Sequence, residues 1–345
     1  MKYLTVFLIL IFLLPLPAYA GEFLAPEVPE SGADLMPDTD SFGEGLLQIL
    51  KTAISAIRPD LAEAAKVAFA LTASVLMVSL MQSVSDTAKN TADFAGTVVI
   101  ASILLFSTKS MVRLGVDTVR EMSEYGKLLL PVMTAAMAAQ GGITASAALY
   151  GGTAVFNSIL TSLVSRLLVP MVYLFLALAA AGSAMGEDIL KRMKETVKGF
   201  VSWCLKTLLT IFTTYMSITG VVSGTTDAAA LKATKVTIST VVPVVGGILS
   251  DASEAILVSA DLAKNAAGLY GIFAILAVFL GPFLTIGVHY MILKATAAVC
   301  SIFGTKRMTD LIGDFSTAMG LLLGMTGASC LLLLISTVCF LKGAG

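Results

Sequence analysis

The sequence predicts an all-α, polytopic integral membrane protein with about six transmembrane helices, two re-entrant or interfacial helical hairpins and a tandem internal repeat. Three observations carry that prediction. Of the 345 residues, 57% are hydrophobic and only 13% charged, and the mean hydropathy is +0.91, whereas soluble domains carry about 25% charged residues. Apolar runs near the length that a bilayer demands alternate with short charged segments. Two distant stretches, at Lys191 and at Lys306, open on the same Lys-Arg-Met-x-acid signature.

The same composition limits the function classes. Net charge is −1, so no global basic field argues for nucleic acid. Cys204, Cys300, Cys330 and Cys339 lie in or beside apolar runs without a C-x-x-C spacing and read as small core hydrophobes. One histidine excludes H-E-x-x-H and Cys2His2 sites, and neither a phosphate-binding G-x-x-x-x-G-K-[ST] loop nor a G-x-S-x-G elbow occurs. No positive case for an enzyme, a metal or a cofactor follows.

Residues 1–20 combine Lys2, the apolar run Leu4 to Leu14 and the small-x-small site Ala18-Tyr19-Ala20, as in a secretory signal peptide. Residue 21 is then expected outside the cytoplasm. Residues 21–45 hold seven acids, no Lys or Arg, and Pro26, Pro29 and Pro37, which reads as a disordered acidic tether. Ser41-x-x-Glu44 fits a capping box, and Leu46, Leu50, Ile54 and Ile57 repeat at helical spacing over an interfacial helix, 46–60. The first transmembrane pair occupies 61–107, with spans at 64–83 and 94–107, the second short for a bilayer.

The rest of the chain divides into a first copy, 108–222, and a second, 223–345. In the first, residues 108–127 are amphipathic, and Arg113 to Asp117 and Arg120 to Glu124 are opposite-charge i,i+4 pairs suited to an exposed surface helix. A Gly-, Ala- and Ser-rich hairpin at 128–165 and spans at 167–185 and 200–222 follow. The second copy offers a hairpin at 236–268 and spans at 267–293 and 317–341. Pro131 pairs with Pro243, Pro170 with Pro282, and Lys191-Arg192-Met193-x-Glu195 with Lys306-Arg307-Met308-x-Asp310. With the N-terminus outside, both K-R-M linkers face the cytoplasm and the copies are parallel, as in some transporters. Lys and Arg are balanced between the two faces, so the orientation rests on the signal peptide alone.

Candidate sites concentrate in the second hairpin. Pro243, Gly246 and Gly247 make a turn, and Asp251, Glu254, Asp261 and Lys264 fall near one face of the helix that follows. That face is either a polar path or docking surface, or an ordinary solvated stripe. Lys191, Arg192, Lys306 and Arg307 are candidate cytoplasmic contacts. His289 sits in a span, where a helix-packing hydrogen bond competes with a proton relay; no acidic partner within the spans supports the relay. Lys206 is expected to snorkel from near the cytoplasmic end of its span. Gly320-x-x-x-Gly324 suits close helix approach, and Pro282 beside Gly281 marks a bend or a gate.

The signal peptide, K-L-L-L-P-V at 127–132, P-V-V-G-G-x-L-S-D-A at 243–252 and L-x-K-N-A-x-G at 262–268 together resemble the stage III sporulation protein AE family of endospore-forming bacteria. The resemblance covers most of the chain after the tether, and it adds what composition cannot. It implies a multispanning, non-catalytic, permease-like component of the channel complex, the feeding tube, between mother cell and forespore. It also implies partners among the related AA to AH proteins and a forespore channel protein Q, and residence in the mother-cell membrane around the forespore. A stand-alone secondary transporter of a small solute, or a structural hub recruiting ring-forming proteins, are the alternative readings.

Overall fold

The computed structural model describes residues 26–39, 41–84, 89–139, 143–185, 188–218 and 266–343. Among them there is helix and no strand. The helices are α1 (Glu30–Ala33), α2 (Phe42–Ala56), α3 (Arg58–Val84), α4 (Lys89–Ala139), α5 (Ile143–Leu163), α6 (Val169–Met185), α7 (Asp188–Ile218), α8 (Ala266–Cys300) and α9 (Lys306–Gly343). One π turn, Val164–Leu168, joins α5 to α6. Pro170 explains its place: the ring would collide with the carbonyl of residue 166, and the wider turn relieves that contact.

α9 is the axis of the bundle. From Ala318 to Leu334 its side chains, among them Leu321, Leu322, Leu331 and Leu332, are buried on every side, as befits a helix that is hydrophobic all round. α8 runs antiparallel beside it, and Ser316 donates a hydrogen bond to the Tyr290 carbonyl at 3.1 Å. α4 runs parallel to α9, since Gly96 faces Met308, Gly115 faces Leu322 and Gly126 faces Leu333. α5 returns antiparallel to α4, held by Asn157 Nδ2 donating to the Ser123 carbonyl at 3.2 Å and Thr153 donating to Ser336 at 3.0 Å. α7 closes that side, with the Tyr215 hydroxyl donating to the Ala148 carbonyl at 2.9 Å. These interhelical bonds satisfy polar groups that would otherwise be stranded in an apolar interior.

Among the described residues, five segments are long and apolar enough to cross a membrane: 58–83, 91–138, 146–185, 268–300 and 306–341. They contain five of the six expected spans; the sixth, 200–222, begins within α7, which is not among the five. The short second span at 94–107 and the surface helix at 108–127 are one structure, the 51-residue α4, which runs through Pro131. Hydropathy changes there, but no residue between them stops a helix. The 128–165 stretch forms the end of α4 and all of α5, a helical hairpin packed on α9.

Two N-terminal expectations are corrected. Part of the supposed tether packs on α8 and α4: Gly32 lies against the α8 backbone at Ala277 and Val278, Leu35 is buried, and Ser31 donates to Glu121 of α4 at 2.6 Å. The absence of a side chain at Gly32 permits that approach. Ser41 occupies the N-cap position of α2 but its side chain makes no capping bond, and the capping box is absent: Thr39 Oγ1 accepts from the Ser41 backbone N–H and donates to Glu44. The buried face of α2 is Gly45, Ile49 and Ala53, while Leu47, Leu50 and Ile54 point outward. Phe42 stacks on Phe273 at 5.9 Å, and Gly45 lies under the same ring.

Candidate functional site

The helices that open on the two Lys-Arg-Met segments are tied together near their starts. α7 and α9 start side by side and parallel, because Lys194 of α7 pairs with Asp314 of α9. Both partners are largely buried, with side chains 11% and 14% exposed. Lys191, Arg192, Lys306 and Arg307 are exposed, whereas Met308 turns into the core. Lys198 to Glu195, at 3.1 Å, adds a shallower ion pair on α7.

A second knot ties the same end together. Asp93, near the start of α4, accepts from Thr305 Oγ1 at 2.8 Å and from Gln82 Nε2 at 3.1 Å. Arg307 approaches its other oxygen at 4.0 Å. One carboxylate thereby joins α3, α4 and the linker into α9. Ser79 donates to the Phe303 carbonyl at 2.7 Å, closing the turn between α8 and α9 onto α3. Sequence reading missed Asp93, Lys194 and Asp314 as structural partners. Their only signal was a charge beside an apolar run, which does not say across which helix it pairs.

His289 is buried, and its Nδ1 lies 3.0 Å from the Thr285 carbonyl one turn earlier on α8, not on another helix; Nε2 has no hydrogen-bond partner. The Thr285 hydroxyl, not that carbonyl, donates to Asp60 of α3 at 2.7 Å, so an acid lies near the histidine at the start of a candidate span without a continuous hydrogen-bond chain between them. Gly320 and Gly324 are buried inside the bundle, so they serve packing within this chain. Pro282 lies inside the continuous α8. Lys206 is exposed midway along α7. Pro243, Gly246, Gly247, Asp251, Glu254, Asp261 and Lys264 lie outside the described residues. Among the described residues no three His, Cys, Asp or Glu side chains gather as a metal site would require.

What this assembly of helices belongs to is decided by comparison with known families. The family model described as stage III sporulation protein AE matches residues 37–344. The chain belongs to the stage III sporulation protein AE family. A relative from Bacillus subtilis (strain 168), named stage III sporulation protein AE, is 20% identical over 206 residues, covering 60% of this chain and 52% of the relative. The chain thus matches about half the length of that relative. No solved structure matches. Family membership gives the chain a sporulation-related role, and its apolar helices give it the build of a multi-pass membrane protein.

Proposed function

We propose that this chain is the permease-like membrane component of the mother cell–forespore channel, the feeding tube that endospore formation requires. The family match along residues 37–344 carries the reading. In this reading the chain sits in the mother-cell membrane around the forespore, works with the AA to AH proteins and the forespore protein Q, and catalyses nothing itself. The K-R pairs face the cytoplasm and the 243–268 element faces the space between the two membranes, an orientation that rests on reading residues 1–20 as a signal peptide.

The alternative, a stand-alone ion-coupled transporter, needs an ionisable group along the path; Lys194, Asp314 and Asp93 sit near helix starts at one end and are already paired, so buried His289, whose Nε2 has no hydrogen-bond partner, is the group whose replacement tests that alternative.

The test is cysteine accessibility: Glu254→Cys in a variant whose four native cysteines are replaced, probed on intact sporulating cells with a membrane-impermeant thiol reagent. Labelling that the partner proteins block is expected. Labelling only after permeabilisation overturns the topology, and with it the partner assignments. Asp251→Lys with Glu254→Lys then separates conduit from hub, because a conduit keeps its assembly and loses flux, whereas a hub loses its partners.

A further inference from the structure

His289 does not tie helices together. It is the chain's only histidine and is 3% exposed, and its ring bonds within its own helix, with Nδ1 3.0 Å from the Thr285 carbonyl. A carbonyl only accepts, so Nδ1 carries the hydrogen and Nε2 is left as a bare lone pair. That lone pair finds no donor. A buried acceptor without a partner costs about 1–3 kcal/mol, and an apolar side chain of similar size would fill the place without that cost. Helix packing therefore does not account for the imidazole.

Its face is turned to α3. Cys300, three turns further along α8, donates to Thr72 of α3 at 3.9 Å. Thr285, one turn earlier, donates to Asp60 of α3 at 2.7 Å. His289 stands between them on the same side of α8, and the backward tilt of helical side chains leans it toward Thr285 and Asp60.

Asp60 is short of partners as well. It is half-buried, and among the described residues its only hydrogen bond comes from the Thr285 hydroxyl, whose single hydrogen the Gly281 carbonyl also attracts at 3.1 Å. A carboxylate partly withdrawn from water is stabilised by a cation or by several donors. The other charges at this level are committed elsewhere or turned outward. On α3, Glu63 and Lys66 are exposed. On α8, Lys294 folds back over Tyr290 and donates to its hydroxyl at 3.2 Å. On α4, whose Gly115 lies against Ile286, Arg113 pairs with Asp117. On α9, whose Ser316 bonds the Tyr290 carbonyl, Asp314 pairs with Lys194.

We propose that His289 and Asp60 together bind a proton. A hydronium ion arriving on the half-exposed side of Asp60 gives its proton to Nε2 and leaves as water. The imidazolium then pairs with the Asp60 carboxylate, and the Thr285 hydroxyl turns to the Gly281 carbonyl. One N–H bond forms, one O–H bond of hydronium breaks, and the added charge is matched by one already present. Deprotonated, this part of α3 is held to α8 by a single shared hydroxyl; protonated, it is held by an ion pair, so acidity tightens the fit of α3 on α8. Binding a proton does not by itself make the chain a transporter. The inference goes beyond the channel reading and does not rest on it.

A lone histidine makes the test direct. The full, unsubstituted chain is prepared with isotope-labelled histidine, placed in lipid nanodiscs, and its two ring nitrogens are followed by nuclear magnetic resonance from mildly alkaline to mildly acidic pH. A hydrogen on Nδ1 and a bare Nε2 are expected at the alkaline end, and hydrogens on both at the acidic end. An imidazole that stays neutral down to the pH at which the protein unfolds overturns the proposal. Asp60→Asn keeps an acceptor for Thr285 but removes the charge, and the ratio of protonated to neutral ring at a given acidic pH is expected to fall about tenfold. Glu63→Gln, on the exposed side of the same helix, is expected to leave that ratio unchanged. No effect of Asp60→Asn, or an equal effect of both variants, overturns the pairing.

A second measurement needs no substitution. With aspartate labelled at its carboxyl carbon, magnetic coupling between Nε2 and one carboxyl carbon is expected at acidic pH and not at alkaline pH; its absence at acidic pH, with the ring protonated, overturns Asp60 as the counter-charge. None of these measurements involves sporulation. A proton site with normal spore formation in the deletion strain would sink the channel role and leave the site standing.

Discussion

α7 and α9 open on the same Lys-Arg-Met-x-acid signature, start at the same end, and run parallel, yet they meet opposite surroundings. α9 is enclosed on every side, whereas α7 buries one stripe, including Val201, Leu205, Phe212 and Met216. The rest of α7 is open, with Trp203, Lys206, Thr210, Thr214 and Ser217 exposed. Hydroxyls occur on both helices and back-bond to carbonyls one turn earlier, as Thr210 does to Lys206 and Ser336 to Leu332. A back-bonded hydroxyl is tolerated in either setting, so polarity counted along the sequence does not separate them. Position in the bundle does. Equivalent starts therefore do not imply equivalent roles: one helix became the axis and the other a wall.

The sharpest way to break this contrast is to place a charge on each helix. Leu332→Lys puts an unpaired ammonium at a site with no exposure, which costs several kcal/mol. The variant is expected to fail to accumulate in membranes, by immunoblot against the parent. Thr214→Lys points outward from α7 and should accumulate normally. Equal loss in both would mean that α7 is as enclosed as α9.

Phe200 and Phe315 hold matching places in the proposed repeat, and they sharpen the comparison without charge. Phe315 is fully buried, while Phe200 is exposed and lies 6.3 Å from the Trp203 ring. Phe315→Ala should cost about 3–5 kcal/mol and Phe200→Ala at most about 1 kcal/mol. Both are read as shifts of the unfolding transition in detergent. A smaller loss at Phe315 than at Phe200 would remove α9 from the centre.

Much of this architecture was legible in the sequence, and the misses share a cause. The helical class and the start of α2 after Ser41 follow from composition and periodicity, and the expectation that both K-R-M segments lie at one end follows from the alternation of the apolar runs. The continuity of α4 did not, because hydropathy reports what surrounds a helix, not whether its backbone continues, and nothing between Phe106 and Lys127 interrupts it. Which face of α2 packs inward was not legible for a related reason. In an apolar setting the large residues Leu47, Leu50 and Ile54 can point outward, and small ones such as Gly45 and Ala53 make the close contact. The docking of Gly32 left no periodic trace, since α1 is a single turn. Of the candidate site, exposure of the K-R pairs was legible, but their tie through Lys194 and Asp314 was not, because pairing across helices has no signature within one of them.

That tie is the next test in size. Lys194→Ala leaves the Asp314 carboxylate largely buried without its partner, and losing half of a buried pair costs about 3–5 kcal/mol. The slight exposure of both groups places the expectation at the lower end, about 3 kcal/mol. Lys194→Met with Asp314→Leu removes both charges and should recover most of that loss, since apolar replacements of a buried pair are often neutral. If the double variant is as damaged as the single one, the pair does more than join α7 to α9.

The smallest stability effect belongs to the K-R pairs themselves, and its size is what makes them informative. Lys306 and Arg307 occupy the first two positions of α9, and Lys191 and Arg192 lie in the first turns of α7. Positive charge at a helix N-terminus opposes the helix dipole by about 0.3–1 kcal/mol at exposed sites, so helix stability does not account for it. Arg307 gives little back: it is half-exposed and 4.0 Å from Asp93, and such pairs contribute about 0–1 kcal/mol. Replacing Lys191, Arg192, Lys306 and Arg307 with Ala should therefore leave unfolding unchanged or shift it slightly upward. If these residues orient the chain or contact a cytoplasmic partner, spore yield falls while the protein remains folded. Unchanged yield, with unchanged labelling at position 254, would reduce them to solvated helix starts, and the likeness between α7 and α9 would then end at sequence.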